Sequence, residues 1–156
     1  MSAQSQPALN LAQLLRIPFQ ALVTELHRRL AAAGYPDIRP THTAIFAHLD
    51  ERGLRLGELA ERAQLSKQLM NYLVTAMEAR GYVERAPDPS DGRARIVRLT
   101  PRGAQASRAG REIINAIEAE WSAQLGADEL RTLRGGLEQL VRLCSPLRTL
   151  APAPED

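Results

Sequence analysis

The chain is poor in the residues that most catalytic and extracellular proteins need. A single cysteine, Cys144, leaves no intrachain disulfide to form and fits a reducing cytoplasm. No uncharged apolar run approaches the ~18 residues of a membrane-spanning helix, so no membrane partner is expected. The opening stretch "MSAQSQPALN" has neither a basic segment nor an apolar one, and export through a signal peptide is not expected. The three histidines, His27, His42 and His48, lack the i, i+4 spacing of a helical metal pair, and no cysteine stands near enough to complete a site. No Ser/His/Asp or Cys/His set, phosphate-cradling glycine loop or catalytic pair of carboxylates is visible. The chain therefore reads as a non-enzyme without cofactor or metal. Internal repeats are absent, and low complexity is confined to the ends.

What is present is an ordinary globular composition, 44% hydrophobic and 24% charged over 156 residues, enough for one domain with a proper core. The formal net charge of +2 conceals an asymmetry. Residues 80–111 carry eight arginines against Glu84, Asp88 and Asp91, a balance of +5, whereas residues 112–156 carry four arginines against eight acids, a balance of −4. A positive middle followed by a negative tail suggests a polyanion-facing region and a separate face turned elsewhere. Lys67 is the one lysine among twenty basic residues, so arginine usage by itself argues little.

Periodicity gives the order ααααββαα. Leu11, Leu14, Leu15, Phe19, Leu22, Leu26 and Leu30 mark an amphipathic first helix ending at Gly34, with Pro18 either kinking it or marking its start. "PTHTAIFAHLDERG" reads as a second helix, opened by Pro40 or Thr41, with Ile45, Phe46 and Leu49 inward and Gly53 ending it. "LGELAERA" is a short third helix, and "SKQLMNYLVTAMEARG" a fourth, capped by Ser66, with Leu69, Leu73, Ala76 and Met77 toward the core. "YVERA" and "ARIVRL" alternate like strands about the turn "PDPSDGR". Thr100 and Pro101 open a fifth helix reaching about Leu125, and a last one starts near Asp128. The fold class is mainly α with one β-hairpin wing.

A short helix, a tight turn and a serine-capped longer helix describe a helix-turn-helix, and a hairpin directly after it makes a wing. If the inward face is as assigned, the opposite face presents Lys67, Gln68, Asn71, Tyr72 and Thr75. Gln68 and Asn71 carry the amides suited to bidentate contact with adenine, Lys67 can reach guanine or phosphate, and the helix N-terminus with Ser66 is a phosphate site. Any exposed helix face is polar, so it is the attached wing that tilts the reading toward double-stranded DNA.

Residues 55–103, "ELAER", "MEARGYVER", "DPSDGR" and "LTPRG" among them, resemble the winged helix-turn-helix core of the MarR family of bacterial transcriptional regulators. "DPSDGR" followed at its distance by "LTPRG" carries most of that resemblance. It implies that Asp88 and Asp91 brace the wing by pairing with wing arginines. It also implies that Arg93, near the tip, enters the minor groove, with Arg95 on the same strand face reaching phosphate and Arg98 lying elsewhere. The bland reading of Asp91 and Arg93 is a merely rigid surface turn, and both readings can hold together. Two positions depart from the family pattern: Gln64 stands in the turn where glycine is common, and Gly92 where a second basic residue is frequent.

The resemblance further implies that terminal helices, over residues 10–34 and 101–146, join two copies into a homodimer around winged cores at 38–100. That would set the recognition helices about one DNA turn apart on a pseudopalindromic operator. It also implies a cytoplasmic repressor modulated by a small aromatic or phenolic effector, for which Phe19, Tyr35, His42, Phe46 and Trp121 are cleft candidates. Each is equally an ordinary core aromatic or histidine. Cys144, in the last helix, is expected to be a buried structural thiol. The rival readings are a winged-helix module for protein–protein contact and a ligand-binding module without DNA binding.

Overall fold

The computed structural model describes residues 8–150, with side chains through residue 144. Helix α1, Leu11–Ala32, begins at Asn10, whose side chain accepts from the Gln13 N–H while Gln13 reaches back to the Asn10 N–H. This reciprocal capping places the start seven residues before Pro18, which lies inside the helix. A 3-10 turn at Pro40–His42 leads into α2, Thr43–His48. Strand β1, Leu54–Arg55, precedes α3, Leu56–Ala63, and α4, Lys67–Ala79. Strands β2, Val83–Asp88, and β3, Asp91–Leu99, form the hairpin, followed by α5, Pro101–Leu125, and α6, Ala127–Leu150. The sheet is antiparallel with β3 in the middle, in the order β1-β3-β2.

The architecture is the expected one, with three corrections. The second helix stops at His48 rather than running to Gly53. There the Asp50 carboxylate accepts from the Arg52 and Gly53 N–H groups, so a local turn replaces the next helical turn. Strand β1 is added to the hairpin, pairing Leu54 with Val97 and Arg55 with Ile96. The buried stripe of α4 is Met70, Leu73, Val74 and Met77, whereas Leu69 is 44% exposed. Positions i, i+3, i+4 and i+7 close one face completely, and that choice turns Leu69 outward.

The core lies where α1, α2, α3, α4 and the root of the hairpin meet. Ile45, Leu59, Met70, Val74, Met77 and Tyr82 are fully buried in it. Tyr82 ties the layers together. Its hydroxyl donates to Asp37 at 2.6 Å and accepts from Arg102 at 3.0 Å, while Phe46 meets its ring edge-on at 6.1 Å. Its carbonyl accepts from the Thr100 N–H, and Thr100 then caps α5 by accepting from the Gly103 N–H. A Cβ at Gly103 would stand 1.9 Å from the Tyr82 carbonyl oxygen, so α5 docks on the hairpin root only because position 103 has no side chain.

Beyond this core the terminal helices leave many apolar side chains uncovered. Leu11, Leu14, Leu15, Ile17 and Phe19 are exposed on the first half of α1, and Leu133, Leu137, Leu140 and Leu143 on α6. Cys144 is exposed as well, contrary to the expected buried thiol.

Candidate nucleic-acid interface

Helices α3 and α4 are joined by three residues, and the joint is a left-handed Gln64 (φ 55°, ψ 42°) whose N–H closes the end of α3. It is the one non-glycine with positive φ among the described residues. Ser66 then caps α4, its hydroxyl accepting from the Leu69 N–H at 3.2 Å. Ser66 and Lys67 are exposed, and a helix N-terminus open to solvent favours phosphate.

With Met70, Leu73, Val74 and Met77 inward, α4 presents Lys67, Gln68, Asn71, Tyr72 and Thr75, all exposed. Tyr72 is 71% exposed and Leu69 stands beside it, so the face carries two apolar groups among its amides and hydroxyl. Lys67, Gln68 and Tyr72 make no side-chain hydrogen bond or ion pair among the described residues. Asn71 and Thr75 do: both accept from the Arg85 guanidinium of β2, at 3.0 and 3.2 Å, and Arg85 is also paired with Glu78.

The wing turns at Pro89 and Ser90, with Asp88 opposite Asp91. The next ladder pair is Pro87 with Arg95, so Gly92, Arg93 and Ala94 have no counterpart on β2. Arg93 stands on this bulge, exposed, with its backbone N–H on Asp91 Oδ1 and its guanidinium unpaired among the described residues. Arg95 is exposed and reaches the Arg85 carbonyl at 3.4 Å, and Arg98 pairs with Glu84 away from the tip.

The aspartates meet each other at the wing, but their partner is not a wing arginine. Arg55 of β1 pairs with Asp88 at 2.7 Å and with Asp91 at 3.3 Å. Asp88 is buried, and the Ser90 hydroxyl, the Ser90 N–H and Arg55 hold its carboxyl at a pKa of about 2, below the ordinary carboxylate value. The third strand makes this possible, since β1 brings Arg55 alongside β3 from outside the hairpin. Arg55 and Arg85 were not singled out by sequence reasoning. For Arg85 a signal existed: strand alternation puts it on the face of Val83, and buried Val83 faces the core side from which α4 projects.

The five cleft candidates do not converge. Phe46 lines a cleft of about 290 Å³ together with Leu26, His27, Leu30, Arg111 and Ile114, between α1, α2 and α5. His42 is buried next to Ile45, accepts from the Arg39 N–H at Nδ1, and has its pKa lowered by burial and by Arg80. Tyr35 packs against Tyr82, with ring centroids 6.3 Å apart. Trp121 lines a separate apolar groove with Leu22, Leu130 and Leu137, and Phe19 is 66% exposed on α1. In the 290 Å³ cleft the polar groups are His27, Thr43, Ser107 and Arg111, the last donating to Ser107 Oγ at 2.8 Å.

The model of the MarR family matches residues 37–94, which run from the 3-10 turn region to the wing bulge. The transcriptional regulator HosA of Escherichia coli O111:H- is 32% identical over 95 residues, 60% of this chain and 70% of that regulator. The HTH-type transcriptional repressor Rv2887 of Mycobacterium tuberculosis is 33% identical over 88 residues, covering 56% of this chain and 63% of its own. Its crystal structure, a complex with salicylic acid, has a TM-score of 0.64 at 27% identity and covers 86% of this chain and 98% of its own. The reduced form of MarR from E. coli shares the fold, with a TM-score of 0.71 at 23% identity over 87% of this chain and 99% of that one. No helix among the described residues is long and apolar enough to cross a membrane.

Proposed function

The chain belongs to the MarR family, and from that premise we propose that it is a cytoplasmic, homodimeric repressor that reads a pseudopalindromic operator and is released from it by a small aromatic acid. The observation that carries the reading is the solvent-facing surface of α4, mostly polar, beside a braced wing whose exposed Arg93 has no guanidinium partner among the described residues. Lys67, the Ser66 hydroxyl and the α4 N-terminus suit phosphate, Gln68, Asn71, Tyr72 and Thr75 suit base edges in a groove about 12 Å wide, and Arg93 suits a narrow minor groove. Arg95, on the strand that carries Arg93, suits flanking phosphate.

Dimerisation through α1, α5 and α6 is supported by the leucines these helices leave exposed, since clustered exposed apolar side chains mark interaction surfaces. The effector reading is supported by the cleft at Phe46, which combines apolar walls with the Arg111 guanidinium, and by the salicylic acid in the mycobacterial repressor's structure. A carboxylate on Arg111 with its ring against Phe46 and Ile114 would stand between α2 and α5, where it could alter the angle at which the winged core meets the terminal helices.

The test is fluorescence anisotropy on a labelled duplex from the DNA directly upstream of the protein's own gene, beside a scrambled duplex, at two salt concentrations. Tight, salt-sensitive binding that prefers the upstream duplex supports the reading, and absence of binding at low salt overturns it. Arg93→Ala should weaken binding to every duplex and lower the salt slope by about one counterion. Salicylate added to the complex should lower the anisotropy, and Arg111→Ala should remove that response while leaving operator affinity unchanged.

A further inference from the structure

The sequence alone assigns Asn71 to adenine, because a free amide can donate and accept at once. In the structure the amide is not free. Arg85 Nη2 lies 3.0 Å from Asn71 Oδ1 and 3.2 Å from Thr75 Oγ1, while Nη1 is paired with Glu78. Residues 71, 75 and 78 follow one another at i, i+4 and i+7, so a single guanidinium spans the stripe of α4 nearest the wing. The ion pair with Glu78 anchors it, and only a quarter of the Arg85 side chain is exposed.

Guanidinium carries donors and no acceptor, so the atom of Asn71 that faces it has to be the carbonyl oxygen. That fixes the polarity of the side chain. Oδ1 is engaged toward the wing, and Nδ2, with two donor hydrogens, is the open end. Thr75 is polarised in the same sense: its oxygen accepts from Arg85, and its own O–H remains to donate. The adjacent reading groups therefore offer donors to the groove. Guanine presents two acceptors there, N7 and O6, whereas adenine presents N7 beside a donating N6 amine. Arg85 takes one of the two lone pairs of Oδ1 and turns that oxygen toward the wing, so the amide leads with its Nδ2 donors, which match the two acceptors of guanine better than the donating amine of adenine.

We infer that Arg85 is a specificity-determining positioning residue, which holds Asn71 and Thr75 by their acceptor atoms so that α4 reads guanine rather than adenine at the base facing Asn71. This rests on the DNA-binding function proposed above. Because the side chains are ordered before DNA arrives, binding costs less conformational entropy than a free amide would incur.

The experiment is selection of the operator from a randomised duplex pool by the full-length protein. Affinities are then measured for the four bases at the half-site position whose preference Asn71→Ala erases. The wild type should favour guanine over adenine there by roughly ten-fold, the scale of one good bidentate base contact. Arg85→Met frees the Asn71 oxygen, and the gap between guanine and adenine should close. Asn71→Asp keeps the bond to Arg85 but has no donor, so it should lose guanine and favour cytosine, whose N4 amine donates. That substitution is on an exposed position and can still overturn the inference if Arg85→Met does not fold by circular dichroism.

An adenine preference in the wild type overturns the inference. So does an Arg85→Met protein that weakens all four duplexes equally, since Arg85 would then be a general contact, and so does an Asn71→Asp protein with unchanged guanine preference. Each of these leaves operator binding standing. A wild type that selects no sequence at all overturns this inference and the DNA reading together.

Discussion

At the scale of single residues, two side chains sit in positions whose physical cost or gain is measurable. Gln64 adopts the left-handed conformation that glycine enters without a Cβ clash, and it does so to turn the chain from α3 into α4 within three residues. Gln64→Gly should raise stability by about 1 kcal/mol, less whatever the more flexible unfolded chain takes back, measured as a higher midpoint in urea. Asp88 is held ionised at the wing by Ser90 and Arg55, with its pKa lowered to about 2. A carboxyl lowered on folding stabilises the native state fully above its unfolded pKa, near 4, and loses that contribution as the pH falls toward 2. Asp88→Asn should therefore lower the melting temperature at pH 6 and make little difference near pH 2. A difference that stayed constant over that range would mean that charge at Asp88 is not what braces the wing.

At the scale of elements, the interface depends on how α4, the hairpin and α5 are fastened to one another. Tyr82 is the fastening point. Its side chain joins Asp37 and Arg102, and its carbonyl accepts from Thr100 at the start of α5. Gly103 lets the helix come down onto that carbonyl. Gly103→Ala drives a methyl group into the Tyr82 oxygen, so α5 must lift from the hairpin root; the expected loss is about 1–3 kcal/mol in chemical denaturation. A neutral outcome would show that α5 is free to shift there. The wing itself is set by two arginines from different elements. Arg55 reaches it from β1 and holds Asp88 and Asp91, while Arg85 ties β2 to the reading face of α4. Arg85 thus links the wing to α4, while Arg55 fastens the wing tip to the third strand.

At the scale of the whole molecule, the exposed leucines of α1 and α6 are the feature the monomer leaves unexplained. The proposed homodimer would bury them against a second copy. Leu137→Glu puts a charge on that surface, and sedimentation velocity should then show a monomer whose operator affinity has fallen well below that of the parent. A dimer that survived the substitution would place the interface elsewhere.

Much of this was legible in the chain because it rests on local chemistry. Ser66 as a cap, Thr100–Pro101 as a helix start and the turn residues between two alternating strands act over three or four positions, and their consequences follow from backbone hydrogen bonding alone. The order of elements, the winged class and the family were determined by the sequence in that sense. Tertiary structure decided the rest, for reasons that no short window contains. Leu69 and Met70 are both apolar, and the 3.6-residue period accommodates either as the edge of the buried stripe; packing of α4 on the core chose Met70. Strand β1 is two residues long, too short to leave a pattern, yet it delivers Arg55 to an aspartate 33 positions away. The orientation of the Asn71 amide depends on an arginine fourteen residues later in the chain. Which groups the reading face offers to DNA is therefore a property of the packed hairpin and helix together, because a side chain's hydrogen-bonding polarity is set by the partner it has already met.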